Sequence, residues 1–116
     1  MAAINIYTCP IDFTMSLIGN KWSMWILWNL QDRPLRFGEL KRLIPGITEK
    51  MLIQQLKKFE NNNILARKVY PEVPPKVEYR LTQNGKSLIT VMTFIKQWGE
   101  DHLSIQEGLN SFSSTK

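Results

Sequence analysis

Lysine and glutamine side chains recur along one side of residues 46–60, where their spacing could support binding to DNA. With 3.6 residues per helical turn, these side chains form two neighbouring stripes. The stripes are Lys50, Gln54 and Lys57, and Met51, Gln55 and Lys58. A glutamine can bond two atoms of an adenine edge, and a lysine can bond guanine acceptors or phosphate oxygens. The pattern therefore predicts a helix that presents a polar, cationic face to DNA.

The opposite side of the same stretch is apolar, as a helix that packs on a core requires. Leu52, Leu56 and Phe59 fall on this side. Thr48 is the candidate N-cap, because its hydroxyl can accept an unpaired backbone N–H, and Glu49 suits the first-turn dipole. A solvated amphipathic helix has the same pattern, so the flanking elements decide between the two interpretations.

Those flanking elements predict a helix-turn-helix followed by a basic hairpin. A short helix over residues 38–44 precedes the Pro45-Gly46 turn, which gives a helix-turn-helix over about 38–62. Strand-forming residues then fill 64–81, and a proline-rich tip interrupts them. We interpret this hairpin as a wing whose Lys76 lies near phosphates; a surface hairpin with a solvated lysine is the alternative.

The rest of the chain predicts helices around this unit. We expect a helix over 10–18 with Cys9 as N-cap, a second over 21–31, a short strand over 35–37, and a last helix over about 82–109. The second helix is apolar nearly all round, so its tryptophans are predicted to be core. The predicted fold is mainly α with a small β-hairpin, a single winged helix-turn-helix domain over 1–116. Residues 1–8 and 111–116 are expected to be flexible.

Surplus apolar surface predicts a homodimer formed by the first and last helices. The core of a small winged helix is already supplied by the preceding helices, so the wide apolar face of the last helix needs a partner. The predicted interface residues are Phe13, Leu17, Leu88, Val91, Met92, Ile95 and Trp98.

Charge and composition narrow the classes of function. The chain of 116 residues carries a formal net charge of +5, which favours an anionic partner. It has no apolar run of membrane-spanning length and no signal-peptide pattern at its N-terminus. A single cysteine excludes an intramolecular disulfide and a cysteine-cluster zinc site. We therefore expect a cytoplasmic protein without membrane association, cofactor or metal.

With these residues in place, the chain resembles the HxlR family of bacterial winged-helix regulators, which are relatives of the MarR group. The resemblance runs from Cys9 to about Trp98, and its strength lies in an ordered set of motifs. In chain order they are Cys9-Pro10, Ile18-Gly19 with Lys21-Trp22, Arg36-Phe37 with Glu39-Leu40, Pro45-Gly46-Ile47, Lys50-Met51-Leu52, Gln54-Gln55-Leu56, Tyr70 with Pro75-Lys76-Val77-Glu78-Tyr79, and Leu81-Thr82 with Gly85. The resemblance implies a homodimeric transcription regulator that binds an inverted-repeat operator near a promoter.

The resemblance and the helical pattern together assign the DNA contacts. Base edges and nearby phosphates are expected to meet one set of side chains, and the flanking backbone another. The first set is Thr48, Lys50, Met51, Gln54 and Gln55; the second is Lys57, Lys58, Arg36, Lys41, Arg42 and Lys76.

Cys9 is the candidate redox or electrophile sensor. The positive field of a helix N-terminus stabilises a thiolate, and the sensor of redox-sensing family members is a cysteine at the matching place. As the only cysteine, Cys9 could form an intersubunit disulfide, a mixed disulfide or an adduct. A semi-buried cap without regulatory chemistry is the alternative.

Other functions fit the sequence less well. A winged-helix module for protein–protein interaction is the main alternative to a DNA-binding regulator, and salt-insensitive binding would favour it. An enzyme is not expected, because His102 is the only histidine and no phosphate loop, metal-ligand spacing or nucleophile–base pair is present. A membrane-surface role is disfavoured, because the cations cluster on the helix-turn-helix and wing.

Overall fold

In the computed structural model, residues 9–110 have defined secondary structure, and side chains are described as far as residue 103. Within residues 9–110 the chain forms five helices and a small three-stranded sheet. The elements are α1 (Pro10–Ile18), α2 (Lys21–Asn29), β1 (Leu35–Arg36), α3 (Phe37–Leu43), α4 (Glu49–Asn61), β2 (Leu65–Tyr70), β3 (Lys76–Leu81) and α5 (Gln83–Asn110). The predictions for residues 1–8 and 111–116 lie outside this part of the chain.

The predicted architecture, a mainly helical winged helix-turn-helix, is confirmed. α1 has the expected bounds, whereas α2 ends two residues earlier than expected, at Asn29, with Leu30 as its C-cap. α3 begins one residue earlier than expected because Arg36, with extended backbone angles, is its N-cap. No helix in the described part of the chain is both long enough and apolar enough to cross a membrane.

Polar side chains cap three of the helices. Asn20 Oδ1 accepts the N–H of Ser23 at the start of α2, at 2.9 Å. Thr48 Oγ1 accepts the N–H of Met51 at 3.0 Å, so Thr48 is the N-cap of α4, as predicted. Thr82 Oγ1 accepts the N–H of Gly85 at the start of α5. Each bond satisfies a backbone donor that has no partner within its helix.

α2 is the centre of the packing, because it contacts α1, α3, α4 and α5. Its Ile26 and Leu27 are completely buried. The prediction that all its tryptophans are core is wrong for Trp25, which is 43% exposed and meets the ring of Trp22 edge-on. A helix in contact with four others can still leave one strip of its surface uncovered, and Trp25 lies on that strip.

The sheet joins the helix-turn-helix to the wing. Its strand order is β1-β3-β2, and both pairs are antiparallel. Leu35 pairs with Tyr79, so the residues just before α3 are held on the wing. β2 and β3 form the hairpin itself, with Tyr70 opposite Lys76 near its tip.

The turn between α3 and α4 depends on Gly46. Its φ of +90° is a conformation that residues with a Cβ rarely adopt. The next residue, Ile47, is buried and belongs to the core. The turn thus directs the chain inward immediately before Thr48 starts α4.

Gly85 allows α5 to approach the turn after α4. A Cβ at this position would lie 2.3 Å from the carbonyl oxygen of Ile64 and 2.9 Å from Leu81 Cδ2. We expect Gly85→Ala to lower the free energy of unfolding by about 1–3 kcal/mol, the usual range for overpacking. Urea denaturation followed by circular dichroism measures this change.

Gly38→Ala is the matched control for this prediction. A Cβ at Gly38 would meet Arg42 Nη1 at 3.6 Å, an ordinary contact with a movable side chain. Because alanine favours a helix by roughly 1 kcal/mol over glycine, this variant should be neutral or stabilised. Equal losses of stability in both variants would contradict the close-approach argument.

Candidate nucleic-acid interface

α4 presents a narrow polar face to solvent. Lys50, Gln54 and Lys57 are all exposed along one side of the helix. Leu52, Leu56 and Phe59 are buried on the opposite side. The structure therefore brings together the three side chains that the first stripe predicted, with donors suited to base edges and phosphates.

The second predicted stripe does not share this face. Met51 is half-buried and packs against the core, and Gln55 and Lys58 are likewise only partly exposed. Both polar side chains bond to Ser23 of α2, which is 0% exposed. The sequence placed Gln55 and Lys58 on the DNA-facing side, whereas the structure turns them toward α1 and α2.

Hydrogen bonds to Ser16 and Ser23 hold these two side chains. Ser23 Oγ donates to Gln55 Oε1 at 2.6 Å and accepts from Lys58 Nζ at 3.3 Å. Lys58 Nζ also donates to the carbonyl oxygen of Ser16 at 3.0 Å. Burial lowers the pKa of Lys58 from its ordinary value.

A polar cleft beside the start of α3 collects several arginines. It has a volume of about 380 Å³, and its lining includes Arg33, Arg36 and Arg42. Glu39 in its wall accepts the N–H of Arg36 at 2.8 Å and lies 3.6 Å from Arg33 Nη1. The bond from the Arg36 N–H, together with the charge of Arg33, lowers the pKa of Glu39.

The structure brings only part of the predicted backbone-contacting set to this cleft. Arg36 and Arg42 are exposed and line it together, whereas Lys41 is half-buried and does not. Glu39 and Glu78 are in the same lining. The local charge is therefore less positive than the arginines alone would make it.

At the wing, an aromatic ring lies between two lysines. Lys68 Nζ and Lys76 Nζ are 4.8 and 4.7 Å from the centre of the Tyr70 ring. Lys76 also pairs with Glu78 Oε2 at 3.5 Å, and the Tyr70 hydroxyl donates to Glu78 Oε1 at 3.0 Å. Lys76 is consequently half-buried and partly neutralised, while Lys68 is the more exposed cation.

An ion pair joins the wing to α4. Arg67 Nε of β2 lies 3.4 Å from Glu60 Oε2, an oxygen shielded from solvent. Together with Glu60 and Arg67, Tyr79 of β3 lines a small cleft between the wing and α4. Burial and the nearby Glu60 carboxylate raise the pKa of Tyr79 above its ordinary value. This ion pair is a direct contact between β2 of the wing and α4.

Cys9 is at the N-cap of α1, as the sequence predicted. Its backbone carbonyl accepts the N–H of Phe13 at 3.0 Å, and its side chain makes no capping hydrogen bond. The thiol is free and half-buried.

The predicted dimer surface divides into exposed and internal residues. Val91, Ile95 and Trp98 on α5 are exposed, Trp98 to 65%, and Phe13 on α1 is also exposed. Leu17 and Met92, at 4% and 1%, are enclosed by the protomer's own core, and Leu88 packs against it. Leu17 and Met92, which the sequence predicted at the interface, therefore lie inside the protomer.

Sequence reasoning overlooked two residues that the structure singles out. Phe94, 71% exposed, extends the apolar surface of α5 and could have been found by its spacing from Trp98. Ser23 had one weak signal, a lone hydroxyl inside the apolar run KWSMWILW. Among the residues described, no group of three or more His, Cys, Asp or Glu could hold a metal ion.

Comparisons with known proteins agree with this geometry. Residues 17–107 match the family model described as HxlR-like helix-turn-helix. The chain is 46% identical over 99 residues to regulatory protein MalR of Fusobacterium mortiferum, covering 84% of this chain and 93% of that protein. It is 40% identical over 111 residues to the HTH-type transcriptional regulator YybR of Bacillus subtilis, covering 92% and 89%. The solved structure of the redox regulator HypR in its reduced form superposes with a TM-score of 0.80 at 40% identity, covering 86% of this chain and 99% of that one.

Proposed function

This chain belongs to the HxlR-like helix-turn-helix family and is a transcriptional regulator of that type, and we propose that it acts as a homodimer on an inverted-repeat operator. The observation that carries this proposal is the exposed row of Lys50, Gln54 and Lys57 on a helix whose other side is anchored in the core. In this proposal α4 enters the major groove, and the wing and the arginine cleft lie along the flanking phosphates.

The DNA contacts of the proposal follow the exposed side chains. Gln54 and Lys50 read base edges, with Thr48 close by at the start of α4. Lys57, Arg36 and Arg42 bind phosphates. Lys76 and Lys68 supply wing contacts, and Lys41 has a minor part because it is half-buried. Gln55 and Lys58 make no contact, since their polar atoms already have partners within the protomer.

Binding-site selection from random duplex DNA tests this proposal with the purified protein. We expect an inverted repeat whose half-sites are roughly 10 bp apart, or a multiple of one turn, because a two-fold dimer places its two α4 helices in successive major grooves. Affinity should fall steeply with salt. Salt-insensitive binding, or selection of no motif, would instead favour a module for protein–protein interaction.

Gln54→Ala should relax base preference at one position in each half-site by about 1–3 kcal/mol, because its amide is the bidentate group on the exposed face. The contrasting variant is Lys57→Ala, which should weaken binding to all sequences alike. It should also reduce the magnitude of the salt slope by about 0.9 for each protomer. Fluorescence anisotropy on the selected operator and on single-base variants measures both effects. Unchanged base preference in Gln54→Ala would contradict the assignment of the reading face.

The dimer part of the proposal rests on the exposed apolar surface of α5. Trp98→Asp should dissociate the dimer, because it introduces a charge into a surface that would be desolvated on association. Thr93→Asp is the matched control: it adds the same charge to α5 at an exposed position about 140° away round the helix. Sedimentation velocity distinguishes monomer from dimer. A dimer that persists in Trp98→Asp would contradict this interface.

We further propose that oxidants act through Cys9, supported by its free thiol at a helix N-terminus and by the likeness to a redox regulator. Diamide takes up two electrons and two protons from two thiols, which gives either a Cys9–Cys9 disulfide between protomers or a mixed disulfide with a small thiol. Diamide with glutathione should weaken operator binding by the wild type and leave Cys9→Ser unaffected. Unchanged binding after mass spectrometry shows a fully modified thiol would contradict this role.

A further inference from the structure

Lys58 belongs to a polar network that joins three helices. Its ammonium group donates to the Ser16 carbonyl of α1 at 3.0 Å and to Ser23 Oγ of α2 at 3.3 Å. The Ser23 hydroxyl donates a hydrogen bond to Gln55 Oε1 of α4 at 2.6 Å. Gln55 Nε2 in turn lies 3.6 Å from Met51 Sδ on the same helix. The donors and acceptors of these groups are matched along the chain of bonds.

The Ser16 carbonyl is an acceptor that its own helix leaves unused. It lies in the last turn of α1, where carbonyls lack N–H partners within the helix, and α1 has no basic residue in that turn. Lys58 supplies the missing cation from α4, 42 residues further along the chain. A positive charge at a helix C-terminus is also favoured by the helix dipole.

The network lies on the inner side of α4, next to the stripe that faces solvent. Ser23 is completely buried, and burial lowers the pKa of Lys58. Apolar packing of Leu52, Leu56 and Phe59 holds α4 against the core but is tolerant of small rotations, because hydrophobic burial has no direction. Hydrogen bonds to fixed acceptors on α1 and α2 do have direction, so they define the rotation of α4 about its axis.

We propose that Lys58 is a positioning residue that sets the rotation of α4, and hence the aim of Lys50 and Gln54, through Ser16 and Ser23, and that it does not bind DNA phosphate. This inference rests on the proposed function. It assigns base discrimination partly to a side chain that touches no base. It also separates Lys58 from its neighbour Lys57, which has the same charge and lies on the same helix but is exposed.

Salt-dependent binding to the selected operator distinguishes positioning from phosphate contact. The measured quantities are the salt slope and the ratio of dissociation constants for a single-base operator variant and the operator. For Lys58→Met we expect this ratio to fall roughly tenfold, with the slope unchanged, because misaimed base contacts lose discrimination. For Lys57→Met we expect the slope to fall by about 0.9 for each protomer and the ratio to stay constant. A Lys58→Met variant that behaves like Lys57→Met would overturn the proposal.

Ser23→Ala keeps every charge and tests the same network if Lys58→Met does not fold. It should lower the discrimination ratio with an unchanged slope. In the double variant, the loss should equal that of Lys58→Met alone, since the two side chains act through one another. Lys58→Arg, which retains donors for both oxygens, should restore most of the ratio. Additive losses, or full discrimination in Ser23→Ala, would overturn the proposal.

The wild-type protein separates failure of this inference from failure of the proposed function. If the wild type discriminates its selected operator and the Lys58 and Ser23 variants do so equally well, only the positioning role is wrong. If the wild type binds every sequence alike, the proposed function is contradicted and the positioning role with it. Hydrogen exchange of the α4 amides gives a readout that needs no DNA, and Lys58→Met should accelerate it. Unchanged exchange together with full discrimination would overturn the inference.

Discussion

The packing of α4 against α2 is the interaction on which the rest of the structure depends. α4 has three buried apolar residues on one side, and α2 is the helix that contacts all four of the others. Because burial of large apolar side chains is the dominant stabilising term, this contact holds the helix-turn-helix on the body of the protein. Apolar packing sets the position of α4, and the polar groups around the contact adjust it.

Much of the fold could be predicted from the sequence, because helix periods, caps and turn residues are local signals. The sequence predicted N-caps at Asn20 and Thr48 and a turn at Pro45-Gly46, and the structure has them in these roles. Differences arose at ends such as that of α2, where apolar residues continue past the helix itself. A single-sequence pattern cannot show where the last hydrogen bond of a helix falls.

The candidate interface was less predictable, because a helical wheel gives angles but no neighbours. Gln55 and Lys58 each follow directly after an exposed residue of the first stripe. Their hydrogen bonds to Ser23 and to the Ser16 carbonyl nevertheless turn them toward the interior of the protein. Leu17 and Met92 likewise have the type expected at an interface, but the core of the protomer already covers them. For Gln55 and Lys58, contacts between residues more than 30 positions apart decided the outcome, and no local signal reports such contacts.

Hydrogen bonds of Thr82 connect the start of α5 to the residues at the end of α4. Its N–H donates to the Ile64 carbonyl, and its hydroxyl lies within bonding distance of the Asn63 and Ile64 carbonyls while accepting the N–H of Gly85. These hydrogen bonds hold the start of α5 against the residues that directly follow α4. Because Gly85 has no side chain, this part of α5 can lie close to the Ile64 carbonyl. The C-terminal end of α4 and the N-terminal end of α5 therefore meet at one hydrogen-bonded junction. In the proposed homodimer, a displacement of the start of α5 would therefore be passed directly to the C-terminal end of α4.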